Sequence, residues 1–156
     1  MLQVGNGGMT VNEDRAHFSI WCMLAAPLMT GNDIRSMTEG TKAILTDRDV
    51  IAIDQDASGI QAFKYADKDS LQTWRKPLQN GDWAVCFLNR SLAPKDILID
   101  WKQMIVADNF SAMELNAVKN NYQVRDVWSK SNLGTTAKTF KAILPGHDVI
   151  VLRLNK

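Results

Sequence analysis

The hydrophobic period of this chain changes near residue 57, and that change constrains the fold more than any other feature. Before it, apolar residues recur at helical spacing; after it, they alternate in short runs closed by turn residues. A period of 3.6 and a period of 2 belong to different elements, so two regions of unlike architecture are expected. In the first region Thr10-Val11-Asn12-Glu13 has the form of a capping box, a hydroxyl and a carboxylate satisfying free amides at a helix start. The helix is expected over Val11 to Ala25, with Phe18, Trp21, Cys22 and Ala25 on one stripe. Ile20, Met23 and Leu24 add a second apolar side, so the helix calls for cover on more than one face. Pro27 ends it.

Leu28-Met29-Thr30 reads as a short buried strand closed by Gly31-Asn32-Asp33. Ser36-Met37-Thr38-Glu39 reads as another capping box, leading into a short helix to about Leu45. Asp47 is placed to cap a further turn carrying Val50, Ile51 and Ile53. Helix, short strand, helix is the order of a parallel α/β sheet or barrel. One strand cannot make such a sheet, so either it pairs with something else or the rest of a barrel is missing from this sequence.

From Ile60 the expected strands are Ile60–Ala66, Leu71–Pro77, Trp83–Asn89, Asp96–Asp100, Tyr122–Trp128, Thr139–Leu144 and Val149–Leu154. Turn signals separate them: Asp67-Lys68-Asp69, Asn80-Gly81-Asp82, Leu133-Gly134 and Pro145-Gly146-His147-Asp148. Met113–Asn121 fits either loop or strand. Short strands at this spacing predict an antiparallel sandwich able to close its own core.

Several residue groups invite a chemical reading. Gly5–Gly8 lacks the lysine and spacing of a phosphate loop and reads as a turn. Asp47, Asp49, Asp54 and Asp56 surround an apolar Val50-Ile51-Ala52-Ile53, which does not fit a calcium loop; helix caps are favoured. His17 and His147 have no second ligand at metal spacing, so no metal or cofactor is expected. Asp33 with Arg35 follows the short strand, where barrel enzymes gather catalytic groups, but a structural ion pair or cap is the favoured reading. Trp74, Trp83, Trp101 and Trp128 offer a sugar-stacking platform or, more commonly, core. Cys22 and Cys86 are expected as buried free thiols. Net charge is +1, with no basic stripe for nucleic acid. The longest apolar run, Ile20 to Met29, is too short to span a membrane and is broken by Pro27. The opening residues lack the basic and apolar regions of a signal peptide, so Met1 is expected to be an internal methionine of a longer protein.

Met1-Leu2-Gln3-Val4-Gly5-Asn6-Gly7-Gly8-Met9-Thr10 resembles the segment after the seventh barrel strand of glycoside hydrolase family 27, the melibiase-type α-galactosidases. Ala25-Ala26-Pro27-Leu28 with Gly31-Asn32-Asp33-Ile34-Arg35 resembles that family's eighth strand and following loop. Asp49 to Asp56 is similar to the end of its last barrel helix, with Asp54 and Ala57 standing where the family usually has Asn and Pro. Val124-Arg125-Asp126-Val127-Trp128, Leu133-Gly134 and Pro145-Gly146-His147-Asp148-Val149 with Leu152-Arg153-Leu154 resemble its carboxy-terminal sandwich. The resemblance implies the last βα units of a (β/α)8 TIM barrel over residues 1–57, followed by an antiparallel β-sandwich over 58–156.

The resemblance also implies retaining hydrolysis of terminal α-linked galactose or N-acetylgalactosamine by a pair of carboxylates. In the family both lie before the point where this chain begins, so no catalytic residue is assigned here. Met1 is the counterpart of a methionine that contacts sugar, a substrate-binding residue by descent, though an amino-terminal residue is expected to fray. The implied partner of the parent enzyme is an α-galactoside, and family members are usually secreted, periplasmic or lysosomal. Three readings stay open: a glycosidase segment without its acid and nucleophile, a non-catalytic carbohydrate-binding or accessory module, and an inert fragment. Without a barrel around them, Phe18, Ile20, Trp21, Met23, Leu24 and Met29 are expected to lack cover and to drive self-association.

Overall fold

The computed structural model describes residues 1–156. Three helices come first: α1 (Val11–Met23), α2 (Glu39–Leu45) and α3 (Arg48–Asp54). Ten strands follow: β1 (Phe63–Lys68), β2 (Leu71–Pro77), β3 (Trp83–Asn89), β4 (Lys95–Ile99), β5 (Ile105–Asp108), β6 (Met113–Asn116), β7 (Gln123–Asp126), β8 (Asn132–Thr135), β9 (Phe140–Leu144) and β10 (Val149–Asn155). Six strands form one antiparallel sheet in the order β1-β2-β3-β10-β7-β8. β4 pairs with β9, and β5 with β6, as two separate two-stranded antiparallel ribbons.

The pleat explains the layers. Along β3, Trp83, Val85 and Phe87 point to one face and Ala84 and Cys86 to the other, and β10 divides in the same way. Trp83, Val85, Phe87, Leu152 and Leu154 pack with Ile97, Val106, Leu115 and Leu144 from the two ribbons and with Trp101 between β4 and β5. Ala84, Cys86, Val149 and Val151 pack instead with Leu2, Val4, Phe18, Cys22, Met23, Val50 and Ile53. The long sheet is therefore the middle of three layers, with helices on one side and ribbons on the other.

This arrangement corrects the expectation of an uncovered helical region. Phe18 and Met23 are buried against the sheet; Ile20, Trp21 and Leu24 are half-buried; Met29 alone of the six remains exposed. The sequence pattern showed that α1 needs cover but not that the sandwich could supply it. Polar contacts fix the same seam. Arg15 grips Asp148 with two nitrogens, Nε donating to Oδ1 at 3.0 Å and Nη2 to Oδ2. Trp128 Nε1 donates to Ser19 Oγ at 2.9 Å, and buried Lys76 donates to the Cys22 carbonyl at 3.2 Å.

Some boundaries shift. α1 stops at Met23, because Ala25 turns into the left-handed region at φ 50°, two residues before Pro27 could act. Thr38 rather than Ser36 caps α2, its hydroxyl accepting from the Thr41 amide at 3.1 Å. The segment Leu28–Thr30 is reduced to one parallel bridge, Leu2 to Thr30. Within Met113–Asn121, a strand forms over Met113–Asn116. The turn signal Leu133-Gly134 falls instead within an edge strand, Asn132–Thr135.

Candidate functional site

The Leu2–Thr30 bridge brings two strand-to-helix units side by side. The Leu2 amide donates to the Met29 carbonyl at 2.8 Å. From these two points the chain runs in parallel into two loops, Gln3–Thr10 before α1 and Gly31–Thr38 before α2. In barrel enzymes such loops, at the carboxyl ends of the strands, carry the site. They form a rim on this protein, and Met1 is exposed at its start.

Glycines let the loops close. A β-carbon on Gly31 would lie 2.9 Å from the Leu2 carbonyl oxygen, 3.3 Å from Asn6 Nδ2 and 3.7 Å from Met1 Cε. One on Gly5 would meet Thr41 Cγ2 at 2.5 Å, and Gly5 also sits at φ 78°. Asn6 is tied to Gln3, its amide nitrogen Nδ2 donating to Gln3 Oε1 at 3.1 Å. The Gln3 backbone amide donates to His17 Nε2 at 3.3 Å, and the His17 ring lies 4.9 Å from that of Trp21. Burial holds His17 below its ordinary value, against the pull of Asp14. Asp14 itself is raised, first by burial, with a hydrogen bond from the Gly5 amide opposing. The Gln3–His17 bond fastens the first loop onto α1.

Asp33 is fully engaged by Arg35, whose Nε and Nη2 donate to its two oxygens at 2.9 and 2.8 Å, with the Arg35 backbone amide adding a third bond at 3.0 Å. Those bonds hold its carboxyl below the usual range. It is the structural ion pair that the sequence favoured. Asp47 caps α3 through the Asp49 and Val50 amides and takes Lys130 at 2.7 Å. His147 pairs with Glu13 at 2.8 Å. No group of three metal-ligating side chains exists. Cys22 and Cys86 are buried and free. Burial raises both thiols, Cys86 to about 12, so neither is a poised nucleophile. Trp83 and Trp101 are buried in the ribbon-side core, and Trp74 and Trp128 pack at the helix seam, so the four make no exposed platform.

Sequence reasoning missed the seam partners Arg15–Asp148 and Glu13–His147. Each pair joins residues more than a hundred positions apart, and no local pattern marks them. A groove of about 500 Å³ between the end of α1 and the β5–β6 turn, lined by Leu24, Ile60, Phe63, Asp108 and Phe110 among others, shares no residue with the rim.

Residues 68–154 match the family described as the α-galactosidase C-terminal β-sandwich domain, and residues 1–56 match that described as α-galactosidase A. α-Galactosidase A of Cellvibrio japonicus is 44% identical over 155 residues, covering 99% of this chain and 38% of that protein. The rice α-galactosidase is 36% identical, covering 95% of this chain and 33% of the relative. Among solved structures, α-galactosidase I of Mortierella vinacea superposes with a TM-score of 0.84 at 30% identity, over 99% of this chain and 38% of that one. A Saccharomyces cerevisiae α-galactosidase solved with raffinose shares the fold, with a TM-score of 0.82 at 22% identity, over 99% of this chain and 45% of that one. The chain thus spans 33–38% of the length of these two curated relatives. A short segment matching the end of a TIM-barrel domain, then an antiparallel sandwich matched over more than half the sequence, places the chain in the melibiase family of α-galactosidases.

Proposed function

We propose that this chain supplies part of the sugar-binding rim of an α-galactosidase, with the sandwich that braces it, and that alone it does not hydrolyse a galactoside. The observation that carries this is the ledge itself. It has two parallel strand segments, at Leu2 and Thr30, and neither bears a carboxylate. Retaining hydrolysis needs two carboxyl groups about 5–5.5 Å apart, one attacking the anomeric carbon and one exchanging a proton. Of the acids around these loops, Asp33 is paired with Arg35 through both of its oxygens. In this reading Met1, exposed beside Gly31 and Asn6, touches the sugar once the rest of a barrel surrounds it.

The names of the relatives support α-galactosides as the substrate class, and raffinose is bound by one of them. Reading the sandwich as a separate sugar-binding module draws no support from its tryptophans, which are buried or packed in the seam. We assign residues 1–57 to the barrel portion and 58–156 to the sandwich. The free outer edges of the Leu2–Thr30 bridge, beside exposed Met1, Met29 and Ile34, also favour self-association. A single monomeric species at all concentrations in sedimentation would refute that part. For the main claim, the purified chain is incubated with a chromogenic α-galactoside. Removing a whole catalytic set leaves only what binding can contribute, so turnover is expected to match a heat-killed control. Turnover above it would contradict the proposal.

A further inference from the structure

The sequence has two Asn-Gly steps, Asn6-Gly7 and Asn80-Gly81. We propose that Asn6 is a site of spontaneous conversion of side-chain amide to acid, with the Gly7 amide nitrogen as nucleophile and water as co-reactant. The inference stands apart from the glycosidase reading. In the first step the Gly7 nitrogen loses its proton to solvent base and attacks Asn6 Cγ. The new N–C bond closes a five-membered imide as the Cγ–Nδ2 bond breaks, and ammonia leaves. Water then adds to either imide carbonyl and opens the ring to aspartate or to isoaspartate. No oxidant or reductant is involved.

Three observations bear on Asn6; exposure of the asparagine and an unbonded glycine amide hold at Asn80 as well, so the difference lies in the room around each peptide. Asn6 is exposed, and so is Gly7. The Gly7 amide makes no hydrogen bond to the protein, so nothing holds it away from the side chain. Gly7 lies at φ 83°, and a β-carbon there would have nothing within 4 Å, which leaves the peptide room to swing. The Asn6 side chain has one tether, the 3.1 Å bond to Gln3 Oε1 between two exposed residues.

Asn80 is a natural contrast. Its turn is closed by the Leu78 amide donating to the Asp82 carbonyl at 2.9 Å, and by the Asp82 amide donating to that of Gln79 at 3.3 Å. Arg153 Nη2 and the Lys156 amide both clamp the Asp82 carboxylate at 3.0 Å. The exposed Lys156 side chain lies over the Gly81 peptide, its Cδ 2.9 Å from where a β-carbon would stand. Ring closure there requires the turn to open first. Either product at Asn6 would carry a new carboxylate, and isoaspartate an extra backbone methylene as well, within the rim loop that packs on Gly31.

The test is incubation of the full folded chain at mildly alkaline pH, followed by peptide mass mapping and isoaspartyl methyltransferase labelling. Conversion at Asn6 is expected to outpace Asn80 by about tenfold or more, the factor given by roughly 1.4 kcal/mol of barrier. In urea the two sites should converge. Asn6→Gln should abolish the modification at that position and leave Asn80 unchanged. Equal rates at the two sites in the folded chain would overturn the proposal. So would an intact Asn6 amide in the folded chain under conditions that convert it in urea.

Discussion

Asp148 lies almost wholly buried at the start of β10, and its charge is answered by Arg15 from the opposite layer. The guanidinium is about one-third exposed, so part of the attraction is screened. Removing it would still leave a buried carboxylate with the Val149 amide as its remaining donor. Arg15→Ala should therefore cost about 2 kcal/mol, below the range for breaking a fully buried pair, as read by urea denaturation. The double variant with Asp148→Asn should lose less than the sum of the two singles. Glu13, two residues before Arg15 on α1, makes a pH-dependent contribution. Its pKa falls from 4.5 to about 2, chiefly through the Thr10 backbone amide and then through His147. A depressed carboxylate stabilises the fold fully above its unfolded value, and that part is lost as pH falls through the folded value. The melting-temperature gap between the parent chain and Glu13→Gln should accordingly narrow between pH 4.5 and 2. A constant gap would show that the capping box carries no charge-dependent stability.

At the scale of elements, local chemistry was legible wherever it was local. The Thr10–Glu13 box and the Asp47 cap start α1 and α3 as the sequence implies. Strands β2 and β3 occupy the residues that alternation marked, because both faces of each are buried by different layers. β8 left no signal, since three of its four residues are exposed and its pairing with β7 is what holds it. β5 is four residues long with one buried side chain, too little for a period to show. The rim was partly legible. The Asp33–Arg35 pair could be named in advance, but the contacts that fasten the loops run through residues such as His17 and Thr41 on the following helices. The three-layer arrangement has a consequence for the sandwich alone. Residues 58–156 keep the ribbon-side core, yet Cys86, Val127, Val149 and Val151 would lose the helices that cover them. Burying side chains of this size contributes roughly 1.5–3 kcal/mol for the larger ones. A chain of residues 58–156 should fold cooperatively, but melt below the full chain and bind an apolar dye. An unchanged melting temperature would mean that the helices add nothing to the sheet.

Taken whole, the molecule is a rim of two loops mounted through three helices on a sandwich, and the middle sheet serves both cores. The rim is held in a defined shape on this chain only if the helices belong to the folded body. Local opening free energy reports this directly, because amides in a docked helix exchange only through large openings. The deciding measurement is native-state hydrogen exchange on the full chain at low concentration. The amides from Phe18 to Met23 are expected to be protected to nearly the same degree as those of β3 and β10, against which α1 packs. Rapid exchange over Phe18 to Met23, with β3 and β10 still protected, would contradict the account and leave the sandwich as the sole ordered part.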